Sequence, residues 1–332
     1  LYCVQGNLAG ADAQFEAAQG ILASATAVVP QPISAINQSH LALLALAKWD
    51  YESGKKQGEA ALVHCSESVG AEHPLAAPVL ATLATLYRDQ SLYAKAEPHY
   101  FRALTITRKT YGEQHPYVAA ILVRVASLHL ARKNHRETEL AVGQSLGMVE
   151  KAFGPEHPAL AGVLNVQGEL ELDRGQPREA RRPLERALKI VETAYGRSHP
   201  LAARLLGNLA AIETSPRTYK RGIVLCDEAL ATLNTALGPE HPELARIHFV
   251  AATLYAGQGE YALARPAAEQ CLAIREKALV PYHPDLAAAC ELCAAVLEKL
   301  PEPDSRAAAE LRARADAIRQ RHAREDRVDA PG

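Results

Sequence analysis

The sequence predicts an all-α chain, a right-handed superhelix of antiparallel helix pairs closed by a C-terminal capping helix. Three observations carry that expectation. A dipeptide returns every 42 residues, columns of small and of apolar side chains keep the same step, and the composition is dominated by Ala and Leu while aromatics supply only 5%. Small side chains at this density suit closely stacked helices better than a β core. At 332 residues the chain also exceeds a typical single domain, as an elongated repeat array does.

The dipeptide is His-Pro, at His73-Pro74, His115-Pro116, His157-Pro158, His199-Pro200, His241-Pro242 and His283-Pro284, with Gln31-Pro32 as a degenerate earlier member. Proline is favoured at the first position of a helix, where its missing N–H costs nothing, so each His-Pro marks the start of a first helix, A. Gly70, Gly112, Gly154, Gly196 and Gly238 precede these starts and are expected to close the second helix, B, in the left-handed conformation. In the first full repeat the spacing predicts helix A over about 74–88 and helix B over about 92–111, with a tight turn at Asp89-Gln90-Ser91.

Ala35, Ala77, Ala119, Ala161, Ala203, Ala245 and Ala287 form one column. Leu62, Leu104, Leu146, Leu188, Leu230 and Leu272 form a second; Ala61, Ala103, Ser145, Ala187, Ala229 and Cys271 form a third that is always small. The small positions let backbones approach, and Leu80, Leu83, Leu86, Tyr100 and Leu104 fill the gaps. One such unit cannot bury enough apolar surface alone, so the repeats must stack.

The segment Leu83-Ala84-Thr85-Leu86-Tyr87, followed by Tyr93, Ala96, Tyr100 and Ala103, resembles the tetratricopeptide repeat in the long 42-residue form of kinesin light chains and many bacterial signalling proteins. The pattern recurs as Ala251-Ala252-Thr253-Leu254-Tyr255 with Tyr261 and Ala264, and the opening Leu1-Tyr2-Cys3-Val4-Gln5-Gly6 with Ala11 and Phe15 resembles the second half of a repeat. The expected organisation follows: residues 1–30 a partial N-terminal repeat, 31–300 the solenoid, 301–322 a polar capping helix rich in Arg, Glu and Ala, and 323–332 a disordered tail. Because Leu1-Tyr2 sits where a helix ends, the native protein is expected to continue upstream. Asn134-His135 with Thr138, and Ser215-Pro216, depart from the family's pattern and mark repeats expected to be distorted.

The resemblance implies a concave surface lined by helix A that receives an extended peptide or partner helix. Matching positions put Arg204 and Arg246 in one column, Asn165 and Phe249 in a second, and Arg124 and Asn208 in a third. Of the asparagine ladder that kinesin light chains carry there, Asn165 and Asn208 remain, so the chain departs from a kinesin-like cargo mode. Apolar points at Ile36, Val123, Val166 and Phe249 alternate with the arginines, and the guanidinium fork suits carboxylates. The expected ligand is therefore a protein segment with hydrophobic and acidic side chains; the competing reading leaves these arginines in solvent. Self-association is a further partner class that the sequence leaves open.

Other chemistries are weaker. Six of the thirteen histidines sit in the His-Pro loops, but loops of adjacent repeats lie roughly a helix-packing distance apart, too far to share a metal. Cys290 and Cys293 form a lone C-x-x-C inside a helix, and with Cys226 and Cys271 they occupy core columns, so buried reduced thiols are expected, as in a reducing cytoplasm. Arg178, Arg182, Arg186 and Lys189 form a stripe that reads as a solvated outer face. A net charge of −2 gives no basic field for nucleic acid, and no run is long and apolar enough to span a membrane. No phosphate loop, nucleophile elbow or zinc-protease motif is present. The expected function is a non-catalytic, cofactor-free scaffold within a larger signalling protein. The alternative is a ligand-responsive sensor whose curvature switches an attached effector such as a kinase.

Overall fold

A computed structural model of the chain describes residues 31–328, together with Gly10, Gln14 and Ala17. Apart from those three residues, the partial repeat expected over 1–30 lies outside the described residues, as do the last four. The chain forms two compact units, Leu1–Val166 and Gln167–Gly332. The first contains α1 (Gln31–Ala47), α2 (Tyr51–Ser68), α3 (Ala76–Asp89), α4 (Tyr93–Tyr111), α5 (Pro116–Ala131), α6 (His135–Phe153) and the first half of α7 (Leu160–Asp173). The second takes the rest of α7, then α8 (Pro177–Tyr195), α9 (Pro200–Ile212), α10 (Tyr219–Leu237), α11 (Pro242–Gly257), α12 (Tyr261–Ala278), α13 (Pro284–Leu297) and α14 (Ser305–Val328). No strand occurs among the described residues.

Consecutive helices pack as pairs, and alternate helices also meet: α1 with α3 and α3 with α5 in the first unit, α9 with α11 and α11 with α13 in the second. The sequence columns explain this closeness. All seven members of the alanine column are buried, and all six of the small column, Ala61 through Cys271, are wholly buried. Ser145 keeps its place there because its hydroxyl donates to the Ala141 carbonyl of its own helix at 2.8 Å. Helix α14 packs on α13 and runs to Val328, past the end expected at 322.

The six histidines of the ladder stand at the approaches to the following helices, and those before α5, α9, α11 and α13 are the N-caps. In each, Nδ1 accepts the backbone N–H two residues on: Leu75, Tyr117, Ala159, Leu201, Glu243 and Asp285, at 3.1–3.3 Å. A helix start leaves its first N–H groups without partners, and here the imidazole supplies an acceptor that Ser, Thr or Asp usually gives. The proline begins the helix at α5, α9, α11 and α13, whereas α3 starts at Ala76 and α7 at Leu160, two residues after their prolines.

Two turns differ from expectation. The closing glycines have φ between +85° and +98°, but at Gly112, Gly154, Gly196 and Gly238 ψ lies between 161° and 172°. That is an extended mirror region open essentially to glycine alone rather than the left-handed helical one. Between helices A and B, Trp49, Ser91, Lys133, Gly175 and Gly259 all have φ between 58° and 83°; three of these five are not glycine. The fourth full repeat breaks this pattern: α9 ends early at Ile212 and residues 213–218 form an open turn before α10 resumes in register. Glu213, almost wholly buried, stands at that break with its carboxylate 3.0 Å from Arg181 and 3.5 Å from Arg221.

Candidate functional site

In the first unit the inner faces of α1, α3 and α5 enclose a cavity of about 590 Å³. Ile36 and Leu43 of α1, Pro78 and Ala81 of α3, and Ala120 and Ile121 of α5 supply much of its apolar wall, and Tyr111 from the end of α4 lies at the edge. Ile36, Tyr111 and Tyr117 remain substantially exposed. Tyr111, His115 and Tyr117 form a three-ring cluster with centroids 4.9–5.2 Å apart. Among the described residues the lining contains one guanidinium, that of Arg124, and no carboxylate.

Arg124 is held by Thr85, whose Oγ1 accepts its N–H at 3.0 Å. The same hydroxyl donates to the Ala81 carbonyl at 2.8 Å and lies 2.9 Å from the Tyr100 hydroxyl, so its bonding capacity is used up. Burial pushes the Arg124 guanidinium below the ordinary arginine range; Tyr100 and Asp89 oppose that, and Arg88 adds to it. Asp89 is itself engaged by Arg88 at 2.5 Å.

The second unit uses its polar residues differently. Arg204 meets Glu243 through two bonds, at 2.5 and 3.1 Å. Arg246 donates to Asn208 Oδ1 and, at 3.0 Å, to the Arg204 carbonyl, while Asn208 donates to Glu169 at 3.1 Å. A chain of side chains thus runs Glu169, Asn208, Arg246, Arg204, Glu243 along α7, α9 and α11. Burial pushes the Glu243 carboxyl up, but Arg204, Arg246 and His241 outweigh it and hold it below the usual carboxylate range. Phe249 packs on the core and lies 5.0 Å beneath the Arg275 guanidinium, and Arg275 also donates to the Asp285 carbonyl at 2.6 Å.

Of the residues singled out from sequence, Arg204, Asn208 and Arg246 are joined in one network, Arg124 stands in the first-unit cavity, and Asn165 and Asn208 are buried. Arg204 and Arg246 are engaged by groups of their own chain. Beyond Arg124 and the apolar point at Ile36, sequence reasoning did not single out the cavity wall. Its signal was the column that holds Arg204 and Arg246, which reads Ile36, Pro78, Ala120 and Gly162 in the earlier repeats. The stripe on α8 has Arg178, Arg182 and Lys189 exposed, with Arg181 turned toward Glu213.

Cys65, Cys226, Cys271, Cys290 and Cys293 are buried free thiols. Burial pushes Cys226 and Cys293 up to about 12 and Cys271 to about 11, with Asp227 adding at Cys226. Thiols held protonated in this way are poor nucleophiles. Among the described residues no three His, Cys, Asp or Glu side chains converge as a metal site would require, and no helix is long and apolar enough to cross a membrane.

A family profile described as "Tetratricopeptide repeat" matches residues 77–151, 117–193 and 201–277, together more than half of the chain. No curated protein sequence matches it. Similar solved structures include a Rap protein complexed with Competence and Sporulation Factor, at TM-score 0.68 and 14% identity over 90% of this chain and 78% of that one. The Rap conjugation gene regulator of the plasmid pLS20, in complex with the Phr* peptide, gives 0.65 and 15% over 90% and 77%. BtubC (BKLC) from P. vanneervenii gives 0.46 and 20% over 76% and 92%.

Proposed function

Because this chain belongs to the tetratricopeptide repeat family, we propose that it is a non-catalytic scaffold that holds an extended segment of another protein in the α1–α3–α5 groove. The observation that carries the reading is the composition of that cavity: an open wall on three helix A faces, apolar over most of its area, with a single guanidinium and no carboxylate among its described lining residues. Peptide sites take this form, with apolar surface for affinity and isolated polar groups for register. The Rap structures, one complexed with Competence and Sporulation Factor and one with the Phr* peptide, lend support at the level of the fold. The second-unit network supports the same choice of place, since its charges already meet partners within the chain.

The reading is tested by filling the groove. Ala120 is exposed at its floor, so Ala120→Trp obstructs binding without a core cost. A partner captured by the wild-type chain is expected to be lost by Ala120→Trp and retained by Arg178→Ala/Arg182→Ala on α8. Retention by Ala120→Trp would place binding elsewhere.

A further inference from the structure

We propose that Arg124 sets the specificity of the α1–α3–α5 groove by receiving the side-chain carboxylate of an Asp or Glu within an otherwise apolar, extended segment of a partner protein. This rests on the reading of the groove as a peptide site.

The argument is one of unbalanced charge. Arg124 lines the cavity, yet none of the described lining residues is acidic, and Asp89 is occupied by Arg88. A guanidinium carries five N–H donors in a rigid fork, and within the described residues the Arg124 fork makes a single hydrogen bond, to Thr85. That bond fixes its direction without neutralising it. The second unit shows what this fold does with a groove arginine that it satisfies itself: Arg204 finds Glu243 on the next helix A, thirty-nine positions on. Arg124 instead reaches back thirty-nine positions to Thr85, a neutral hydroxyl. Among the described residues an anion thus meets Arg204 and none meets the Arg124 fork.

A charge half-withdrawn from water without a counter-ion is costly, and a carboxylate bonded to both arms of the fork relieves that cost. Three helices side by side, at roughly 10 Å spacing, present about 20 Å of groove, the length of roughly six extended residues. A segment can therefore lie across α1 and α3 with its apolar side chains and present one acidic side chain at α5.

The test is a display selection on the full 332-residue chain with random segments of about ten residues, longer than the groove, embedded between constant Gly/Ser flanks. A parallel selection uses Arg124→Gln. Wild type is expected to enrich apolar segments with one Asp or Glu. Changing that residue to Asn or Gln in the best binders is expected to weaken binding roughly tenfold or more on wild type and to leave Arg124→Gln unaffected. Arg124→Lys, which keeps charge but loses the fork, is expected to fall between them and guards against a glutamine variant that fails to fold. Apolar segments enriched without an acid, or the same acid preference on Arg124→Gln, would overturn the inference while leaving the groove reading intact. Enrichment only from a library ending in a free C-terminus would overturn the side-chain source. No enrichment on wild type overturns the groove reading as well.

Discussion

The ring of Phe153 lies flat on the imidazole of His157, centroids 4.4 Å apart and planes 24° apart, while that imidazole accepts the Ala159 N–H at 3.2 Å. Tyr111 with His115 and Tyr195 with His199 repeat the arrangement at 4.9 Å. In each case the aromatic is the last residue of a helix B, so the end of one helix braces the histidine that leads into the next. Replacing His157 by Ala is expected to cost about 0.5–2 kcal/mol, and His157→Asn, which restores an acceptor, substantially less. Urea unfolding of the three forms checks this, with hydrogen exchange at the Ala159 amide as the local readout.

That bracing could be found in the sequence only in part. The His-Pro period gave the register of every helix pair, because proline's missing N–H makes its position informative without any knowledge of tertiary contacts. The histidine beside it was legible as a ladder but not as a cap, since imidazole is an uncommon capping group and its role depends on which way Nδ1 faces. The same limit governed the groove. Arg204, Asn208 and Arg246 were legible as recurring helix A positions, but whether a guanidinium meets a ligand or Glu243 is decided by side-chain reach between repeats. The cavity wall is built of Pro78, Ala81 and Ala120, whose smallness draws no attention one residue at a time.

Lys133 is exposed and has φ of 61°. The left-handed region costs a residue with a Cβ roughly 1–2 kcal/mol, and the equivalent positions 175 and 259 are glycine. Lys133→Gly is expected to raise stability by about 0.5–1 kcal/mol after the loss of unfolded-state restriction is subtracted. Thermal unfolding of the purified variant measures it; a fall in midpoint would show that the lysine side chain contributes more than its backbone costs.

Gly168 carries the opposite expectation. In an open helix Gly→Ala stabilises by about 1 kcal/mol, but a Cβ here would stand 2.4–2.5 Å from Cγ and Cδ2 of Leu184, which is wholly buried. The whole leucine head must move in a packed interior, so Gly168→Ala is expected to destabilise by about 1–3 kcal/mol. Gly162, on the same helix with nothing within 4 Å of its added Cβ, serves as the control, and its alanine variant is expected to gain.

Acid acts through two other histidines. Burial pushes both His129 and His248 below the usual histidine range; at His129, Glu97 and Glu137 oppose the shift and Arg132 adds to it. A base whose folded value is lowered is neutral in the folded chain while the unfolded chain already takes up a proton. Stability is therefore full above the unfolded value of about 6.5 and falls as pH drops from there through the lowered folded values. The urea midpoint is expected to decline over that window, and His129→Gln with His248→Gln to flatten the decline. An unchanged slope in the double variant would assign the acid sensitivity to other groups.

The polar chain of the second unit decides how charge reversal there must be interpreted. Asn208 is almost wholly buried between Glu169 and Arg246, donating to one and accepting from the other. Asn208→Ala removes one hydrogen bond from each partner in a buried setting and is expected to cost about 1–3 kcal/mol. Arg204→Glu sets a carboxylate against Glu243, and Arg246→Glu sets one beside Asn208 and toward Glu169, so the pair repels what it now holds. Loss of binding in that double variant therefore reports first on the packing of α9 against α11. The two effects separate if Arg204→Gln and Glu243→Gln are combined. In a double-mutant cycle on unfolding free energy, their coupling measures the internal ion pair, while partner affinity measured in the same proteins is expected to stay at the wild-type level, because the groove of the first unit is untouched.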